Sequence, residues 1–139
     1  MIPLKDDNPT KKKPIVSYCI IGFCVVIFLS QLGLSESELR DFTYSYGLIP
    51  SVLMGIDQLP NDLFKISPVG TIFTSMFMHG GWMHLIGNML YMWIFADNIE
   101  DDLGTLNFVI FYLISGIGAA MSQVLMDINS QIPMIGASG

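Results

Sequence analysis

The sequence predicts an all-α membrane protein: a polytopic helical bundle with three complete transmembrane helices and the start of a fourth. Three observations predict it. The chain of 139 residues is 52% hydrophobic and only 13% charged, whereas soluble domains carry charge on about a quarter of their residues. The charges fall into clusters separated by long uncharged stretches. Within one of those stretches sit His84 and Asn88, polar side chains that are expensive to place in lipid and therefore informative.

The N-terminal tail, residues 1–13, holds Lys5, Lys11, Lys12 and Lys13, four of the six Lys and Arg residues. That bias predicts a cytoplasmic N-terminus. From Pro14 to Ser35 there is no Asp, Glu, Lys or Arg, and those 22 residues are long enough for a hydrocarbon core of about 30 Å. The first span is placed at about residues 14–34. Its apolar stretch exceeds a signal h-region and no small-x-small cleavage site follows, so it is read as a retained anchor. Cys19 and Cys24, five apart on this helix, lie on different faces and cannot bridge, which makes them small apolar packing residues.

An outer segment of about residues 35–80 follows. It is long for a loop, and Phe42, Tyr44, Tyr46, Leu48, Ile49, Leu53 and Phe64 predict an ordered element at the membrane interface. The uncharged run Ile66–Ala96 opens with Pro68, Gly70, Gly80 and Gly81, a poor start for a helix. The second span is therefore placed at about residues 81–99, beginning near Gly81 or Trp82 and free to extend into the acidic turn beyond Ala96. The third, at about 103–126, is closed by Asp127. Its "SGIGAA" contains the small-xxx-small pairs Ser115/Ala119 and Gly116/Ala120, which let helices approach closely. A second outer loop at about 127–137 leads to the start of a fourth helix at 138–139. Counting spans puts residues 35–80 and 127–137 outside and "ADNIEDDLG" inside. The formal charge of −6 bears little on topology, which depends weakly on Asp and Glu. No basic patch points to nucleic acid, so the lipid bilayer is the partner that composition indicates.

His84 and Asn88 are four apart and share one helix face. His79, five residues before His84 and separated from it by Gly80-Gly81, reads as a loop residue with a separate job. The pair admits three readings: glue between neighbouring helices, a reaction site, or a metal site. A zinc peptidase pattern such as H-E-x-x-H is missing, which disfavours the metal reading relative to the other two. Ser138 stands between Ala137 and Gly139 at the outer surface, where a helix would begin. Small neighbours let a substrate backbone come close, and a helix start offers free N–H groups to a developing oxyanion. A turn or helix cap is the plainer alternative. The nucleophile elbow G-x-S-x-G would need a strand before the serine, and this sequence offers membrane helices.

"HGGWMHLIGNMLYMWIFADNIEDDLG", "FYLISGIGAA" and "PMIGASG", in this order and spacing, closely resemble bacterial rhomboid intramembrane serine proteases over residues 42–139. The resemblance implies a rhomboid-like bundle that cleaves transmembrane protein substrates near the outer face through a Ser-His dyad. It implies Ser138 as nucleophile, His84 and Asn88 as oxyanion donors together with the Ser138 N–H, and His79 and Gly136 as support for the cavity and loop. It also implies a multi-pass protein of the bacterial inner (plasma) membrane that needs no cofactor or metal. The family's general base is a histidine on the sixth helix, and no residue here matches it. The 139 residues are therefore expected to be an N-terminal fragment that is inactive alone. Gly70-Thr71 occupies the place of a Trp-Arg pair found in many relatives, which concerns loop anchoring. The alternative of another class is a catalytically inactive rhomboid-like protein that binds membrane clients; the presence of Ser138, His84 and Asn88 together favours the protease.

Overall fold

A computed structural model describes residues 13–136, and among them the regular structure is helical apart from one isolated β-bridge between Leu48 and Met134. Helix α1, Ile15–Gln31, starts immediately after Pro14, whose missing N–H costs nothing at a helix start. Its apolar residues run around the whole helix, and Ile15, Phe23, Val26 and Leu29 remain exposed, the pattern of a helix surrounded by apolar material.

The second long helix is continuous but composite. It runs as α5, Trp82–Tyr91, then a π turn over Met92–Ala96, then α6, Asp97–Leu103. Gly81 precedes it, as the sequence leads one to expect, and Gly104 ends it in a left-handed conformation, φ +77°, which glycine adopts without steric cost. The acidic stretch is thus helical through Leu103 and is not a turn. A π turn shifts helical register by about one residue, or roughly 100°, so the faces on its two sides are set independently. Glu100, below it, is buried against the start of α1. Its carboxylate accepts hydrogen bonds from the Val16 N–H at 3.1 Å, the Ser17 N–H at 2.9 Å and the Ser17 hydroxyl at 2.8 Å. Two of the unpaired donors at the α1 N-terminus are satisfied in this way, by a charge of the sign that the helix dipole favours there.

Helix α7, Thr105–Met126, has 22 residues and is the one described helix long and apolar enough by itself to cross a bilayer. Gly116 of α7 faces Met76, where a Cβ would collide with the Met76 Cε and sit 2.8 Å from its Sδ. The small pairs of "SGIGAA" therefore divide: Gly116 and Ala120 are packed, while Ser115 and Ala119 are open.

Between α1 and α5 the segment that the sequence places outside folds into α2, Glu36–Tyr46, α3, Pro50–Leu53, and α4, Pro68–Ser75. Helix α2 begins with a capping box, in which the Ser35 side chain accepts from the Glu38 N–H and the Glu38 side chain accepts from the Ser35 N–H. Helix α4 corrects the expectation drawn from Pro68 and Gly70. Proline is well placed in a first helical turn, and Ser67 caps the helix by accepting from the Gly70 N–H at 3.2 Å. The Thr74 hydroxyl donates to the Tyr46 carbonyl at 2.6 Å and ties α4 to α2.

Two cores result. One joins α1 to α5 through Cys24, Phe28 and Leu85; the other joins the outer segment to α7 through Leu48, Ile72 and Val124. Cys24 is buried, Cys19 is exposed, and both are free thiols.

Candidate active site

His84 and Asn88 stand one turn apart on α5, both half-buried. The Asn88 amide nitrogen is enclosed, with no hydrogen-bond partner among the described residues. His79 lies in the link between α4 and α5 and is 2% exposed. Although it precedes the helix, the chain turns back over Gly80-Gly81 and sets its ring edge-on to His84, with centroids 5.1 Å apart and planes at 66°. The two histidines are therefore neighbours, which separation along a single helix would have prevented.

Burial, and after it the charge that His84 can carry, hold the His79 pKa below the ordinary histidine value, while the Phe77 backbone acts weakly in the other direction. Neither ring nitrogen of His79 makes a hydrogen bond of good geometry among the described residues. His79 is thus an enclosed ring against the side of His84, with burial disfavouring its charged form.

Gly136 comes to the same imidazole from the other direction. Its φ is +97°, and a Cβ on it would lie 2.6 Å from both Cε1 and Nε2 of His84. Conformation and space both require glycine there, because only a residue without a side chain lets the backbone approach so closely. The loop that delivers Gly136 is pinned by backbone hydrogen bonds. Leu48 and Met134 exchange two, at 3.0 and 2.8 Å; the Ser51 N–H donates to the Ser130 carbonyl at 3.0 Å; the Gly136 N–H donates to the Ser75 carbonyl at 2.8 Å. Ser138 and its N–H lie outside the described residues.

Beside this group an open cavity of about 290 Å³ runs between α1, the second helix and α7, with His79, Asn88, Cys24, Met76, Tyr112 and Ser115 in its wall. It is a largely apolar space with a few convergent polar groups, the usual composition of a ligand or reaction site. Among the described residues no group of three or more His, Cys, Asp or Glu could hold a metal. The arrangement sets His84 and Asn88 one turn apart on α5, with the Gly136 backbone against the His84 ring. Sequence reasoning missed the supports: Ser75 and Met134 act through backbone groups, which no side-chain pattern marks.

The fold and site together define a helical membrane protein with a polar site set into its apolar body. A family model described as the rhomboid domain matches residues 67–139, and the chain belongs to the rhomboid family. Among similar proteins is RHOMBOID-like protein 4 of Arabidopsis thaliana, 36% identical over 118 residues that make up 85% of this chain and 29% of that protein. RHOMBOID-like protein 5 of the same plant is 29% identical over 68 residues, 49% of this chain and 22% of that protein. Rhomboid-like protein 11, chloroplastic, also of this plant, is 32% identical over 66 residues, 48% of this chain and 23% of that protein. The motifs point to bacterial members, whereas these relatives are plant proteins. The chain spans less than a third of the length of the curated relatives it matches. No solved structure matches it.

Proposed function

We propose that this chain carries the nucleophile and the oxyanion site of a rhomboid-type intramembrane serine endopeptidase. Ser138 is the nucleophile. A histidine outside these 139 residues takes its proton, since His79 and His84 are the two histidines of the sequence and both have other work. The Ser138 oxygen attacks the carbonyl carbon of a substrate peptide bond, and His84 and Asn88 donate to the carbonyl oxygen as it becomes negative. The proton then passes from the base to the leaving amine, and water admitted from the outer face hydrolyses the acyl-enzyme.

The observation that carries this reading is the contact of the Gly136 backbone with His84. Gly136 is two residues before Ser138, so a short path connects the proposed nucleophile to the proposed oxyanion donor, and Asn88 lies one turn further along the same helix. The open alternative, helix glue, is disfavoured by the enclosed Asn88 amide nitrogen, which bonds no neighbouring helix among the described residues.

The same reading gives three spans, α1, α5 through α6, and α7, with a fourth helix beginning at Ser138. The N-terminus is cytoplasmic on the lysine bias, the protein resides in a bacterial plasma membrane, and its substrates are transmembrane proteins cut near the outer face. The 139 residues alone are inactive for want of the base. With a form of the protein that includes that histidine, a serine-reactive fluorophosphonate should label the wild type and leave Ser138→Ala unlabelled. Equal labelling of both would remove Ser138 from the mechanism. Cleavage of a transmembrane substrate by the 139-residue chain would refute the prediction of inactivity.

A further inference from the structure

Residues 47–51, more than eighty positions before Ser138, form the edge on which the loop preceding that serine is laid. Leu48 pairs with Met134, and Ser51 with Ser130. Gly47 is the tightest point of this edge. A Cβ there would meet the Thr43 carbonyl oxygen at 2.5 Å, the Pro133 Cβ at 3.0 Å and the Ile135 Cγ2 at 3.3 Å. Its own backbone, φ −75° and ψ 152°, suits any residue, so glycine is demanded by the neighbours.

Those neighbours are of two kinds. The Thr43 carbonyl accepts the Gly47 N–H at 2.8 Å and closes α2. Pro133 and Ile135 flank Met134 in the loop. Ile135 is also confined from another side, because its Cδ1 lies 3.3 Å from where a Cβ on Gly80 would be. Two glycines of the outer segment thus leave a slot that one isoleucine fills, and the next residue in the chain is Gly136, against His84.

We infer that Gly47, with Ile135 seated between it and Gly80, is a positioning residue for the reaction. Gly47 lets the end of α2 close down on Pro133 and Ile135, which sets the depth at which the loop carries Gly136 to His84 and leads on to Ser138. The inference rests on the assignment of Ser138 as nucleophile, but its structural half can be read without catalysis. A side chain at 47 must either break the α2 cap or lift the loop; the helices of the bundle need not move.

The test is amide hydrogen exchange on the membrane-embedded chain, with turnover measured in the form that includes the base. Gly47→Ala should raise exchange at the Met134 and Gly136 amides while α7 keeps its protection. It should lower kcat by up to about 10²-fold with KM little changed, the signature of a displaced reacting group. Ile135→Ala, which empties the slot without any clash, should produce the same loss of protection in a chain that remains folded. Gly22→Ala, at an open helical position, should change neither reading. Wild-type protection and kcat in both Gly47→Ala and Ile135→Ala would overturn the inference. Loss of loop protection with unchanged kcat would overturn it as well. If Ser138→Ala still labels while the exchange effects are found, the error lies in the nucleophile and the loop's anchorage stands.

Discussion

Two buried polar groups of this molecule, on the two sides of the π turn, are built on opposite plans. Glu100 is 3% exposed, and its carboxylate receives three hydrogen bonds from the start of α1. His79 and Asn88, on the other side, keep enclosed nitrogens without partners among the described residues. A buried polar group is costly unless bonded. The first arrangement is complete as it stands and holds two helices together. The second carries a cost that hydrogen bonds would have removed, which agrees with the substrate site proposed above. Satisfaction, more than polarity, separates architecture from chemistry here.

Breaking the proposed oxyanion pair, His84 and Asn88, should have the largest effect, on rate and not on folding. In a form of the protein that includes the base, His84→Ala or Asn88→Ala should each lower turnover by about 10² to 10³, while the thermal transition in detergent shifts little. A large stability loss in both would assign the pair to helix packing instead. Breaking the satisfied group should do the reverse. Glu100→Ala leaves two N–H donors and a hydroxyl at the α1 start without their acceptor and should cost roughly 3 kcal/mol. Glu100→Gln keeps one acceptor oxygen, loses the charge, and should cost about half as much. Activity per folded molecule should be nearly unchanged in both, measured by labelling normalised to the folded fraction.

The sequence revealed the pair His84 and Asn88 more readily than Glu100, for physical reasons. His84 and Asn88 stand out because polar residues inside an apolar run are rare, and their four-residue spacing places them on one face. Glu100 lies among Asp97, Asp101 and Asp102, where a carboxylate looks like part of a solvated turn; only the π turn, which no residue pattern announces, and the position of α1 distinguish it. The outer segment was legible as ordered but not as three helices. "SESE" before α2 does carry the S-x-x-E capping pattern, and Ser67-Pro68 is a cap followed by an N-terminal proline, so both starts could have been found. The nearness of His79 to His84 could not, since it depends on how the chain folds back over Gly80-Gly81. Of the helices that the sequence predicts as spans, α7 shows the required length by itself, whereas α1 has 17 residues, fewer than the roughly 20 of a typical span.

Packing provides a sharper test at intermediate cost. Gly116 and Gly118 are two residues apart on α7, yet Met76 fills the space at the first and nothing lies within 4 Å of the second. Gly116→Val should destabilise by about 1 to 3 kcal/mol through overpacking, and by displacing Met76 it should also disturb the cavity wall. Gly118→Ala should be neutral or slightly stabilising, because alanine is the better helix former. Equal effects at both positions, read from unfolding in detergent, would mean that α4 does not rest on α7.

The smallest effects are those of acid, and they separate the site from the scaffold once more. The His79 pKa is lowered by burial and then by His84, so the unfolded chain binds a proton more readily than the folded one. Its contribution is complete above the ordinary histidine value of about 6.5 and is lost as pH falls through the lowered folded value. Glu38, in the α2 capping box, is lowered by its hydrogen bonds with the Ser35 side chain and then the Ser35 backbone. Its contribution is complete above the ordinary carboxylate value of about 4.3 and disappears only at more acid pH. Stability against pH should therefore decline in two stages. His79→Gln should remove the upper stage alone, because no proton is then taken up on unfolding at that position. Ser35→Ala should shrink the lower stage alone, since the Glu38 carboxylate loses its main partner while the buried ring is untouched. If Ser35→Ala alters the upper stage, the outer segment and the site are coupled through the loop more strongly than the hydrogen bonds at Leu48 and Ser51 account for.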